Sequence, residues 1–416
     1  MDKIEKLQSL RGTKDLLPDS FVVHAHIVSI AEKIGSLYGY LPMSTPIIEH
    51  ANVFTRTLGD TSDVVSKEMY NFTDRSGNNI ALRPEFTAGV MRAFISNNIT
   101  NLPLKFFSHG PLFRYDRPQL GRQRQLHQIN YEYIGAEGPH SDAEVIKLAY
   151  DLLNALEIEN LTTLEINSLG CTESRKLYHQ KLFEYLCDNK AQLSTDSLSK
   201  LERNPLRILD SKSSQDLEII KNAPSIYNFY TDYSKSYFEQ LLKYLDMFGI
   251  KYLINHRLVR GLDYYCHTAF EFTTKSIGAQ SSVIGGGRYD KLAEIMGGMP
   301  TPAIGFAAGI ERLALMRSYE FPKVRPLCIL PIGDENIDMG LKIADHLRQN
   351  QILSLLDTKG KIEKRLARAL EKDAKYVIFI GDEERTNSKY KIKNLDSRIE
   401  NTVSILELMS IIKSQE

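Results

Sequence analysis

The stretch FRYDRPQLGRQRQLHQINYEYIG, residues 113–135, decides how this chain folds. In its second half Gln128, Asn130 and Glu132 fall on one face of an extended strand, while His127, Ile129, Tyr131 and Tyr133 fall on the other. The run KFFSHGPLFRY (105–115) is a second strand, and DRPQLGRQR between them, with Pro118 and Gly121, is a turn. Together they predict an antiparallel hairpin with a long tip. Two amides and a carboxylate in a row are ordinary on a solvated face and costly in a core without partners. Taken alone, the row reads as the wet side of a sheet. The hairpin also carries Arg114, Arg117, Arg122 and Arg124, whose planar forks suit phosphate or carboxylate. A solvated turn with scattered cations accounts for them equally well.

Working outward, LVRGLDYYCHTAFEF (258–272) enters a strand in which Thr268, Phe270 and Phe272 point one way and His267, Ala269 and Glu271 the other. Arg260, Asp263, Tyr264 and Tyr265 cluster around Gly261 just before it. LRPEFTAGVMRA (82–93) sets Glu85 and Thr87 at a helix start, where either caps the helix or, as a pair, they hold an amine. IGGGRYDKL (284–292) lets a backbone pass close to another strand or a ligand, and is neither a dinucleotide fingerprint nor a Walker loop. AIGFAAGIERLALM (303–316) reads as strand, turn and helix. Glu311 in its first helical turn complements the helix dipole; Arg312 does not, and wants an anion.

Elsewhere, Pro18, Asp19 and Ser20 open a helix with Ile27, Ile30, Ile34 and Leu37 on one stripe and Gly39 as its stop. Pro46-Ile47-Ile48 is a short strand. Ser141 and Glu144 stand at capping-box spacing before Val145, Leu148, Leu152 and Leu156. LTTLEIN (161–167) is a strand, and 172–250 has helical spacing with few strand signals. FPKVRP (321–326) is a linker. Beyond it strands LCILPIG, ILSLLD and YVIFIGDEE alternate with helices, predicting a small α/β unit with a largely parallel sheet; the pattern is weakest over 389–416.

Lys+Arg and Asp+Glu both number 52 among the 416 residues, so any nucleic-acid contact must come from local patches. The four cysteines form no CxxC pair, which argues against a structural zinc site and a disulfide framework. The ten histidines contain no HExxH, and His24 and His26 do not share a helix face, so no metal ligands are assigned. MDKIEKLQSL lacks an apolar signal core, and no apolar run reaches the roughly 18 residues that span a bilayer. A soluble, reducing, cytoplasmic setting is expected.

In this order the motifs resemble the histidyl-tRNA synthetase family of class II aminoacyl-tRNA synthetases. RGTKDLLPDS (11–20) resembles the family's opening, GYLPMSTPIIEH (39–50) its motif 1, and residues 113–135 its motif 2. NPLRILDSK (204–212) matches the helical insertion. LVRGLDYY and GGGRYD (285–290) resemble the two histidine-specific motifs, and AIGFAAGIERL motif 3. Cys266-His267 departs from the family, where an amide or small residue and an Arg are common.

The resemblance implies an α+β class II catalytic core, an antiparallel sheet flanked by helices, in two parts (1–171 and 251–320). A helical insertion (172–250) separates them, and an α/β anticodon-binding domain (326–416) follows. It implies ATP-dependent activation of L-histidine to histidyl-adenylate with Mg2+, no organic cofactor and no zinc, then transfer to tRNA(His) by a homodimer with no membrane partner. Arg114 and Arg260 would hold the α-phosphate and the substrate carboxylate from opposite sides, as the catalytic pair. Arg312 would grip the γ-phosphate, and Arg122 would also serve ATP. Glu85, Thr87 and Gln128 would hold the α-amino group, and Glu132 and Tyr265 the ring nitrogens. Tyr264 would shape the pocket, and Asp263 would support the turn. Arg117, Gln119 and Arg122 would meet the tRNA acceptor end. So read, the polar row 128–132 becomes a site. The rival expectation is a non-catalytic, synthetase-like histidine-sensing subunit, but such a protein tends to lose the ATP- and tRNA-facing groups kept here. A class II synthetase for proline, threonine or glycine is opposed by LVRGLDYY and NPLRILDSK.

Overall fold

The computed structural model describes residues 6–59, 62, 64–202, 204–211, 213–260, 264–278 and 281–413. The Gly261 and Asp263 expectations lie outside them. The chain divides into two compact units, Met1–Tyr319 and Glu320–Glu416.

Among the described residues, eight strands form the sheet of the first unit: β1 (Leu41–Pro42), β2 (Leu104–Phe113), β3 (Gln125–Ile134), β4 (Thr163–Ser168), β5 (Tyr252–Ile254), β6 (Cys266–Thr274), β7 (Ser281–Arg288) and β8 (Ala303–Gly309). Their spatial order is β1-β2-β3-β8-β7-β6-β4-β5. The predicted hairpin is present, with β2 and β3 antiparallel from Leu104 opposite Ile134 to Phe113 opposite Gln125. Only the two edge pairings, β1 with β2 and β4 with β5, are parallel. A separate three-stranded sheet joins Ile48–His50, Asn79–Leu82 and Asn71–Thr73. The short strand therefore begins at Ile48, and both Ile47 and Ile48 are exposed.

The main helices of this unit are α1 (Pro18–Leu37), α2 (Thr87–Ser96), α3 (Gly138–Ala155), α4 (Thr172–Asp188), α5 (Asp232–Met247) and α6 (Ile310–Leu315). Two expectations shift. The buried stripe of α1 runs through His24, Ile27, Ala31 and Gly35, and Leu37 is 74% exposed. At 3.6 residues per turn the stripe reaches Tyr38, not Leu37; Tyr38 packs against the core. Helix α3 starts three residues before the predicted cap, because Pro139 suits the first turn. Ser141 thus lies inside the helix, its hydroxyl donating to Glu137 O at 2.8 Å, and Glu144 pairs with Lys105 at 2.8 Å.

One core lies between this sheet and helices α1, α3 and α5, with Ile129, Tyr131, Ile166, Phe270, Phe272 and Phe306 from the strands. Tyr131 donates to Ala31 O at 2.7 Å, and α1 comes that near because Gly35 has no Cβ to meet the ring. The helical stretch after 172 builds its own cluster from Tyr178, Leu182, Leu201, Ile208 and Ile219, whereas Phe238, Leu241 and Leu245 of α5 join the main core. Strand β8 passes into α6 without an intervening turn.

In the second unit Ser354–Leu356, Leu327–Pro331 and Tyr376–Ile380 pair in parallel, as the alternating pattern predicts. Tyr390–Asn394 and Glu400–Val403 then add antiparallel strands, and Ile405–Lys413 is a helix. No described helix is long and apolar enough to cross a membrane.

Candidate active site

The face of β3 opposite the core opens onto a cavity of about 570 Å³, within the range of small-molecule sites. Arg114, Arg122, Arg260 and Arg312 all line it, from segments far apart in sequence. Glu85, Thr87, Gln128, Asn130, Tyr264 and Tyr265 line it as well. Arg117 and Gln119 do not. They stand exposed at the hairpin tip, where Gln119 and Arg122 bridge through their backbones at 3.1 and 2.9 Å.

The arginines are held differently. Arg114 follows the end of β2, and its Nε donates to Pro84 O at 2.8 Å, which leaves the terminal nitrogens for the cavity. Arg122 pairs with Asp116 at 3.1 Å. Arg260 is paired with Glu271 of β6, its Nε has no hydrogen-bond partner among the described residues, and its guanidinium lies 5.8 Å from the centre of the Tyr265 ring. Gly285 of β7 makes room for it, because a Cβ there would lie 2.5 Å from a terminal nitrogen of that guanidinium. Among the described residues Arg312 donates only to the carbonyls of Gly121, at 3.3 Å, and Ser282. Burial, then the like charges of Arg122 and Arg114, pull its pKa down. A cluster of cations near a buried one favours an anionic ligand.

Behind the arginines the polar row is tied together. Glu85 accepts the backbone N–H of Thr87 at 2.8 Å and of Ala88 at 2.7 Å, so it caps α2 and faces the cavity at once. Burial raises its pKa despite these bonds. Glu132 is 1% exposed and accepts from Thr87 Oγ1 at 2.5 Å, Asn130 Nδ2 at 3.0 Å and the Tyr289 hydroxyl. Its carboxyl is pushed up to about 7, chiefly by burial. It sits under the cavity floor, and Gly305 is the residue whose missing side chain lets it lie there. Tyr264 and Tyr265 are buried with ring centres 4.7 Å apart, and burial raises both phenols.

Motif-by-motif reading missed Glu271, Tyr289 and Arg207. Glu271 stands on the cavity-facing side of β6 between Phe270 and Phe272, and a carboxylate between two phenylalanines was its signal. Tyr289 follows the glycine run and is 1% exposed. Arg207 lies in the 204–212 stretch and lines the cavity, which no local pattern announces.

Residues 12–313 match the family model described as histidyl-tRNA synthetase, and residues 327–415 the one described as anticodon binding domain. The chain belongs to the histidyl-tRNA synthetase family. Within that family it is 59% identical over 411 residues to the histidine-tRNA ligase of Rickettsia felis, covering 98% of this chain and 99% of that protein. The crystal structure of apo S. aureus histidyl-tRNA synthetase superposes with a TM-score of 0.81 at 33% identity, over 98% of this chain and 99% of that one. A Bacillus halodurans structure titled as an ATP phosphoribosyltransferase regulatory subunit/histidyl-tRNA synthetase shares the fold at 21% identity, TM-score 0.65, over 91% of this chain and 99% of that one.

Proposed function

We propose that this chain is a histidine-tRNA ligase whose reaction is carried by the arginine-lined cavity. The observation that carries the reading is five guanidinium groups, those of Arg114, Arg122, Arg207, Arg260 and Arg312, on one cavity beside a row of amides and a buried carboxylate. In the first step the histidine carboxylate attacks the α-phosphorus of ATP, histidyl-adenylate forms and pyrophosphate leaves. Two anions must meet, so catalysis rests on alignment and charge stabilisation. Arg114 and Arg260 hold the α-phosphate and carboxylate between them, while Arg312 and Arg122 receive the outer phosphates. Glu85, Thr87 and Gln128 take the ammonium. Glu132 and Tyr265 match the two ring nitrogens, with Tyr264 closing the wall, and unmatched buried groups would reject other side chains. In the second step a hydroxyl of the terminal adenosine of tRNA attacks the acyl carbon and AMP leaves.

Magnesium comes with ATP. Glu271, Asp116 and Glu85 in the cavity are already committed to Arg260, Arg122 and the α2 backbone, so these three build no octahedral oxygen cage. The hairpin tip with Arg117, Gln119 and Arg122 meets the acceptor end of tRNA(His), and the second unit reads the anticodon. The exposed Leu41, Ile47 and Ile48 support a homodimer through the 39–50 segment. The setting is cytoplasmic.

Amino-acid-dependent ATP–pyrophosphate exchange, run with each of the twenty amino acids on purified protein, tests the reading. Exchange with histidine alone is expected, and exchange with another amino acid or with none overturns it. Deleting 326–416 should spare exchange and cripple tRNA charging; charging that survives removes the second unit from tRNA recognition.

A further inference from the structure

Helix α1, strand β3 and helix α6 bring His24, His127 and Glu311 together, with a ligating atom of each within 4.8 Å of the others. We propose that these three side chains form a transition-metal site of the two-imidazole, one-carboxylate kind at the edge of the cavity. The geometry is already drawn in. His127 Nδ1 lies 2.8 Å from Glu311 Oε1, and both Glu311 oxygens accept the His127 backbone N–H at 3.0 Å, which fixes the carboxylate. The His24 ring meets His127 edge-on with centres 5.4 Å apart. Glu311 also lines the cavity, so an ion has a path in and an open side for water. Two nitrogens and one oxygen suit Zn2+, Co2+, Ni2+ or Fe2+, and not Mg2+, which demands oxygen. None of the three ligands is a group assigned to phosphate or histidine, and the site stands whether or not the adenylation assignment does. An occupied site would pin the N-terminal helix to both β3 and α6.

The test uses the full chain after chelator treatment. Titration with Co2+ should give one stoichiometric visible-absorption transition, erased by Zn2+, and the bound metal should raise the melting temperature. His24→Gln removes one ligand from outside the cavity lining and should weaken binding roughly tenfold or more, since even outer partners of metal ligands matter by that much. His24→Phe, which keeps the edge-on ring contact, serves if the first variant folds poorly. In the wild type, one equivalent of Zn2+ should block diethyl pyrocarbonate modification of the half-buried His127 as mapped by mass spectrometry. Absent stoichiometric binding, unchanged affinity in a folded His24 variant, or an unprotected His127 each overturn the site.

Discussion

Arg288 and Arg312 both reach into the first unit, and they are satisfied in opposite ways. Arg288 is 2% exposed and fully matched: Asp142 at 2.5 Å, Asp290 at 2.9 Å, and the carbonyls of Ala136 and Gly138 at 2.6 and 3.2 Å. Asp142 is matched in turn by Thr268 and by the Tyr237 hydroxyl at 3.0 Å. Nothing is left over for a ligand. Among the described residues Arg312 has only carbonyl partners, and it faces other cations across a cavity. A guanidinium costs much to bury, and a closed network answers that cost inside the protein. An open one leaves it to be answered by whatever binds. The same residue type is therefore scaffold in one place and site in the other, and its partners decide which.

The contrast can be broken by substitution. Arg288→Leu strands the Asp142 charge, and should lower folding stability by about 3–5 kcal/mol in denaturant melts; a near-neutral result would mean the network is not closed. Arg260→Ala should cut histidine-dependent exchange by roughly a hundredfold to a thousandfold while the chain stays folded by circular dichroism. Normal exchange would move Arg260 to the scaffold class. Arg312→Ala should raise the ATP KM roughly tenfold to a hundredfold, with a melting temperature equal to or above that of the wild type, because a crowded cation is removed. A large loss of stability would make it a second Arg288.

Glu132 sharpens the comparison from the acidic side. Burial lifts its pKa from 4.5 to about 7, so the folded chain holds a proton that the unfolded chain releases. The stability it contributes is full below 4.5 and is lost as pH rises through about 7. Glu132→Gln should flatten that decline in melts run across the window, and a slope unchanged from the wild type would assign it to other groups.

The hairpin, the strand run of the second unit and the family motifs were legible because they are local: alternation, turn residues and spacing declare themselves within a few positions. The start of α3 and the end of the α1 stripe were misplaced because a proline and the drift of a 3.6-residue period moved them by a few residues. The antiparallel strands after Tyr390 carried no comparable signal, since both are short and half exposed. At the site, Gln128, Asn130 and Glu132 could be seen as a row, yet the sequence could not say that Tyr289 and Thr87 hold one end of it.

By itself the sequence determined the order of elements, the polar face of β3 and the stock of arginines. The tertiary structure decided which arginines share a cavity, which carboxylates are already spent on them, and that His24 meets His127 and Glu311. Periodicity is a property of neighbours along the chain. Charge compensation depends on distance in space, and only the folded sheet sets that distance.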